Sequence, residues 1–92
     1  MDVSATIKEI LASEVLVDVP VHEMKADDRL RDGYGVDSLG FVELRVQCEE
    51  RLGVSISDEE FSPENFETVG SVVSLVERLR DEQRSQSLTE PH

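Results

Sequence analysis

Val69, Val72, Val73, Val76 and Leu79 recur at the spacing of one face of an α-helix, and this stripe constrains the chain more than any other feature. Valine is stiff at its branched Cβ and mildly favours strands, so the spacing here overrides residue preference. Thr68 stands where an N-cap is needed. Two other stretches share the period. Ile7, Ile10, Leu11 and Val15 give one face of a helix over residues 4–17, with Ser4 as its cap and Pro20 beyond its end. A further helix over residues 38–52 is followed by Gly53, the residue type that most readily takes the left-handed turn after a helix. Val54 and Ile56 alternate with polar residues as in a strand, yet no segment offers a partner strand, so they are expected to tuck inward from an extended connector. Pro63 after Ser62 suits the first turn of a short helix anchored by Phe61 and Phe66. The expected fold is all-α: a small four-helix bundle with three main helices, one short helix and a long loop after helix one. Residues 1–84 make the domain, and residues 85–92, without periodicity, are expected to form a disordered tail.

A chain of 92 residues makes one domain and leaves little room for a deep enzymatic cleft. Its 21 acidic and 9 basic residues give a formal charge of -12, a field that repels nucleic acid and anionic membranes and steers basic protein surfaces inward. Cys48 is the single cysteine, which excludes an internal disulfide and a cysteine-based zinc site; among apolar neighbours on a helix it reads as a buried small hydrophobe. No signal segment and no long apolar run is present, so a cytoplasmic protein is expected, and nothing marks it as other than a monomer.

Residues 18–36 form a long connection with Leu30 as its anchor into the core, and connections of this length are usually functional or disordered. Here the loop, punctuated by Gly33 and Gly35, delivers Ser38 to the mouth of a helix. Ser38 then has two readings. As an N-cap its oxygen accepts from the first turn and does nothing more. As an exposed hydroxyl at the positive end of a helix it suits the attachment of a phosphate ester. Other chemistries fail. Leu30 and Leu39 fall where a calcium-binding EF-hand loop needs oxygen ligands. The first glycine of Gly35-Val36-Asp37-Ser38-Leu39-Gly40 lies one residue too far from the serine for a nucleophile elbow. The two histidines, His22 and His92, are poor material for a catalytic triad, so no enzyme, no catalytic residue and no metal site is expected.

Projected at about 100° per residue from Leu39, the side chains of Phe41, Leu44, Cys48 and Leu52 fall between about 140° and 220°, the stripe that belongs in the core. Val42 and Val46 join Leu39 in a second cluster, with Ser38 on its flank. Leu39 and Val46 are therefore expected to meet partner proteins, with Val42 at the entrance to the core; a helix buried on two sides is the plainer alternative. Glu43, Glu49 and Glu50 are the acidic candidates on the same helix, diluted by Arg45 and Arg51.

Asp37-Ser38-Leu39 after a glycine-containing loop, Val42-Glu43-Leu44 on the helix, Glu49-Glu50-Arg51-Leu52-Gly53-Val54 at its end and the later Thr68-Val69-Gly70 together resemble the acyl carrier protein family, over about residues 4–80. The resemblance implies a carrier in which a phosphopantetheinyl transferase joins 4'-phosphopantetheine to Ser38, with Asp37 helping to hold the magnesium that the transferase uses. It also implies partners: acyl-activating enzymes or acyltransferases, and ketosynthases or other condensing enzymes. Gly40 replaces an acidic residue common in fatty-acid carriers, and Glu60-Phe61-Ser62-Pro63-Glu64-Asn65-Phe66-Glu67 is closer to discrete carriers of polyketide, nonribosomal-peptide and D-alanine systems. A stand-alone acyl carrier of specialised metabolism is expected, with a peptidyl or aminoacyl carrier, or a non-carrier acidic helical interaction domain, as alternatives.

Overall fold

The computed structural model describes the backbone of residues 2–89 and the side chains of residues 2–83. Three helices carry the fold: α1 (Val3–Ser13), α2 (Ser38–Leu52) and α3 (Val69–Thr89), with a turn of 3-10 helix at Val21–Glu23. No strand forms among the described residues; Arg29 and Thr68 make a single isolated antiparallel bridge. The all-α expectation holds.

The cap of α1 lies two residues before the expected one. The Asp2 carboxylate, rather than Ser4, accepts an amide of the first turn, the Ser4 N–H at 3.1 Å. The helix stops at Ser13 instead of running to residue 17. Its last turn widens where the Val15 N–H reaches back to the Ile10 carbonyl (3.0 Å). Leu16 then turns into the left-handed region at φ 67°, and the Val17 N–H closes on the Leu11 carbonyl (2.9 Å). The buried face is Val3, Ile7, Ile10 and Leu11, with Val15 packed at its edge.

The loop after α1 is sewn to the start of α3. Leu30 is fully buried, as expected, and Met24 and Val36 join it in the core. The Leu30 N–H donates to the Glu67 carbonyl (3.0 Å), and the Val69 and Gly70 amides of the first turn of α3 donate back to Asp28 (3.1 Å) and Ala26 (2.7 Å). Loop carbonyls thus satisfy two amides that a helix start leaves free. The approach favours glycine: a Cβ on Gly70 would lie 3.0 Å from the Ala26 carbonyl oxygen, a tight contact. Thr68 caps α3 as expected, in a reciprocal pair where the Ser71 N–H donates to its Oγ1 (3.1 Å) and its own N–H donates to Ser71 Oγ (3.0 Å).

Tyr34 braces the loop by donating its hydroxyl to Asp28 Oδ2 at 2.7 Å. That bond, with the Lys25 amide, holds the Asp28 carboxyl below the ordinary carboxylate range, while burial and then Asp28 push Tyr34 ionisation up. A carboxyl depressed in the folded state stabilises above its unfolded pKa and loses that contribution as pH falls through the folded one. Tyr34→Phe is therefore expected to lower the urea midpoint at neutral pH, with the deficit shrinking as acid takes the pH below the ordinary carboxylate range and through the depressed folded value of Asp28. Equal deficits at both pH values would contradict this.

The short fourth helix is reduced to one turn. Ser62 does receive the Asn65 N–H on its Oγ (3.2 Å) and the Phe66 N–H on its carbonyl (3.1 Å), but the ladder stops there, because Glu67 and Thr68 are committed to the loop pairing and the α3 cap. Phe61 and Phe66 meet edge to face with centroids 4.9 Å apart, and Phe66, Val54 and Ile56 are buried. α3 buries Val69, Val72, Leu75, Val76 and Leu79. Its backbone runs to Thr89, five residues past the expected domain end at 84, and no glycine or proline occurs between Ser71 and Thr89. The rest of the expected tail, residues 90–92, lies outside the described residues. No helix among the described residues is long and apolar enough to cross a membrane.

Candidate functional site

Val36, buried behind Gly35 at φ 73°, turns the loop so that Asp37 is extended (φ -100°, ψ -176°) immediately before α2. Asp37 is consequently the N-cap, its Oδ1 accepting the Gly40 N–H at 2.8 Å. This corrects the cap reading of Ser38: Ser38 is the first helical residue, exposed, and its hydroxyl makes no hydrogen bond among the described residues. Gly40 fits the same turn sterically. A Cβ there would meet Val36 Cγ1 at 2.9 Å, Val15 Cγ1 at 3.2 Å and Asp37 Oδ1 at 3.4 Å, so a side chain in the first turn of α2 would press on the cap and on the end of α1.

Ser38 opens onto a cleft of about 610 Å³ between α2 and the segment before α3. Phe41 and Val42 line it from α2, Phe61, Pro63 and Phe66 from the opposite wall, and Arg29 and Arg31 from the loop. All three phenylalanines of the chain are in this lining. Arg29 is paired with Asp32 (3.8 Å) and Glu67 (3.7 Å), whereas Arg31 has no carboxylate within ion-pair distance among the described residues and lies over the Phe41 ring, 5.7 Å from its centroid. Sequence periodicity gave no signal for Arg31, which sits in irregular chain.

Helix α2 is buried on one side only. Leu44, Cys48 and Leu52 are in the core, whereas Leu39 is 79% exposed, Val42 48% and Val46 37%. The three acidic candidates differ. Glu50 is exposed and has no ion pair among the described residues. Glu43 accepts from Gln47 Nε2 at 2.8 Å, and Glu49 is committed to the fold, its Oε2 accepting the Ile56 N–H at 2.9 Å. Arg45 likewise does not dilute an acidic face but reaches the same connector: its Nη2 donates to the Ile56 carbonyl (2.6 Å), pairs with Asp58 (3.1 Å) and its guanidinium covers the Phe61 ring at 5.0 Å. Asp58 is almost fully exposed and contributes little. Arg45→Met keeps the stem and loses the head group, so it is expected to destabilise by about 1–3 kcal/mol, read as a lower urea midpoint; an unchanged midpoint would show that the connector holds without it.

No cluster of metal-ligating side chains is present among the described residues. The arrangement offers one accessible oxygen nucleophile at the positive end of a 15-residue helix, a capping carboxylate beside it and an apolar cleft with an uncommitted guanidinium at its mouth.

The family model described as "Phosphopantetheine attachment site" matches residues 5–79. The chain is 33% identical over 84 residues to the meromycolate extension acyl carrier protein of Mycolicibacterium smegmatis, covering 86% of this chain and 83% of that one. Among solved structures it is similar to the holo acyl carrier protein from Nitrosomonas europaea (TM-score 0.78, 27% identity, covering 88% of this chain and 99% of that one). It is also similar to a chain in the complex of an engineered Bradyrhizobium japonicum glycine:[carrier protein] ligase with carrier protein from Agrobacterium tumefaciens and AMP (TM-score 0.72, 26% identity, covering 80% and 97%).

Proposed function

The chain belongs to the phosphopantetheine-attachment family as an acyl carrier protein, a family with a covalently attached 4'-phosphopantetheine, and from that premise we propose that Ser38 bears the arm. The observation that carries this reading is the exposed Ser38 hydroxyl, released from capping by Asp37. The residues around it fit the group. A phosphodiester on Ser38 gains from the amide end of α2 and from Arg31, whose charge is otherwise unpaired among the described residues. Attachment joins Ser38 Oγ to the pantetheinyl phosphorus of coenzyme A, the hydroxyl proton passes to a base on the transferase, and adenosine 3',5'-bisphosphate leaves. Asp37 keeps one carboxylate oxygen clear of its capping bond, and that oxygen is the one available to a magnesium ion brought by the phosphopantetheinyl transferase. Once attached, the arm supplies a thiol that holds an acyl group as a thioester.

In this reading the protein is a carrier and not a catalyst, working in the cytoplasm. It passes acyl intermediates between acyl-activating enzymes or acyltransferases and ketosynthases or other condensing enzymes, in polyketide, lipid or related specialised biosynthesis. Leu39, Val42 and Val46 offer those partners an exposed apolar strip beside Ser38, with Glu43 and Glu50 as the acidic contacts; Glu49 keeps a lesser part, since its carboxylate is engaged by Ile56. Aminoacyl cargo is the second reading, supported by the likeness to a chain from the glycine ligase complex. Intact mass before and after treatment with a broad-specificity transferase, coenzyme A and magnesium tests the carrier reading, and one added phosphopantetheine is expected. No addition, under conditions that modify a control carrier, would leave an acidic helical interaction domain.

A further inference from the structure

Four large apolar side chains are conspicuously exposed among the described residues, and three of them, Leu39, Val42 and Val46, stand on α2. The fourth, Leu16 at 75% exposure, comes from a different segment, and nothing about its own position favours a leucine. Its φ of 67° is the only positive φ at a non-glycine residue among the described residues. The turn it makes after α1, closed by the Val17 N–H on the Leu11 carbonyl, is of the kind where glycine is free of steric penalty and a Cβ is not. Burial offers no compensation, because most of the side chain faces solvent. Strained, non-glycine positive-φ positions concentrate where structure serves function.

The place of Leu16 is informative. Its neighbour Val15 packs on Gly40, with Val15 Cγ1 3.2 Å from where a Gly40 Cβ would stand, so the segment carrying Leu16 runs beside the first turn of α2, two residues from Ser38. A protein that reaches Ser38 through an interface of ordinary size buries about 800 Å² of this surface, a patch roughly 30 Å across. A patch of that breadth centred on Ser38 extends to the segment that carries Leu16 at the end of α1, while Val42 and Val46 continue along α2. Asp18 and Asp37 lie near it without ion-pair partners among the described residues, Glu14 is paired with Arg51 at 3.1 Å, and the whole chain carries -12. The matching surface is therefore an apolar pocket with a basic rim.

We propose that Leu16 is a docking contact for the enzyme that attaches the arm to Ser38, received by an apolar pocket with a basic rim. The proposal rests on Ser38 being the attachment point. Leu16→Gly is the decisive variant, since it removes the side chain and at the same time suits the left-handed backbone, so it folds at least as well as the parent. Initial rates of phosphopantetheine transfer from coenzyme A, measured with a broad-specificity transferase at varied carrier concentration, are expected to show a KM raised about tenfold with kcat within about twofold, at an unchanged or higher melting temperature. Leu16→Arg is expected to raise KM further than Leu16→Glu, because only the arginine opposes a basic rim. A parent that is modified normally while Leu16→Gly keeps its KM would overturn the inference and leave the carrier reading intact. A parent that takes up no phosphopantetheine would instead overturn the carrier reading, and the inference with it. Parent dimerisation that Leu16→Gly abolishes would assign Leu16 to a self-interface and also overturn it.

Discussion

Ser38→Ala is expected to accept no phosphopantetheine at all and yet to melt as the parent does, because the hydroxyl it removes makes no hydrogen bond among the described residues. The two readings of this serine diverge on stability as sharply as on chemistry. If Ser38 capped α2, its loss would cost about 0.5–2 kcal/mol, several degrees of melting temperature in a domain of this size. That cost belongs instead to Asp37, whose Oδ1 holds the Gly40 amide at 2.8 Å. Asp37→Ala is accordingly expected to lower the melting temperature. Asp37→Asn separates the roles of the carboxylate, since asparagine caps a helix about as well as aspartate but offers a neutral oxygen to a metal ion. It is expected to melt close to the parent and to be modified more slowly if Asp37 serves the magnesium of the transferase. Intact mass for modification and circular dichroism for melting, read on all three variants, decide the matter. A destabilised Ser38→Ala that still gains the mass of phosphopantetheine would refute the assignment outright.

The ambiguity over the cap shows where sequence reading runs out in this protein. Asp37 and Ser38 are both good capping residues and stand side by side, so residue preference does not choose between them. The choice is made by Gly35 in the left-handed region and by Val36 being buried, which together set the direction in which the chain enters α2. The period of apolar residues was enough to locate the faces of α1, α2 and α3, and burial of Leu30, Cys48, Val54 and Ile56 follows from their sitting between those faces. The same reasoning separated the core stripe of α2 from the exposed strip of Leu39, Val42 and Val46. What it missed is long-range and polar. In sequence Glu49 reads as an acidic contact for partners and Arg45 as a charge that dilutes it, and only the packed chain brings the Ile56 carbonyl and amide, eleven and seven residues away, within their reach. The short helix stays a single turn for a related reason: residues 63–66 form a turn locally, but the pairing of Glu67 and Thr68 with the loop ends it. The cleft beside Ser38 is assembled from three separate stretches and leaves no mark in any one of them.

Native apo protein is expected to resist alkylation almost completely at pH 8, whereas the holo protein takes up one equivalent of iodoacetamide. Cys48 is fully buried on the core stripe of α2, and burial first, then the adjacent Glu49, pushes its thiol up to about 12. The thiolate is the reactive species, so at pH 8 only about one molecule in ten thousand presents it, against about a quarter for a free thiol near 8.5. Steric cover lowers the rate further. The arm's terminal thiol would meet neither obstacle, which makes alkylation a specific reading of the arm: one equivalent on transferase-treated parent, none on treated Ser38→Ala, and one on apo protein in denaturant. Urea dependence identifies the route of any residual labelling of Cys48. Attack on the folded protein rises about tenfold per pH unit toward 12, and attack through an open state rises with it, because above about 8.5 the thiol of the open state is already ionised while the opening itself grows more favourable. Burial favours the neutral thiol, so the folded state holds the proton more tightly, and stability falls as pH rises above the unfolded value. Opening therefore becomes easier over that interval, and the open route is expected to carry the labelling, with a rate that tracks urea concentration. Rapid, urea-independent labelling of native apo protein would mean that the stripe of Leu44, Cys48 and Leu52 is not the sealed core side of α2.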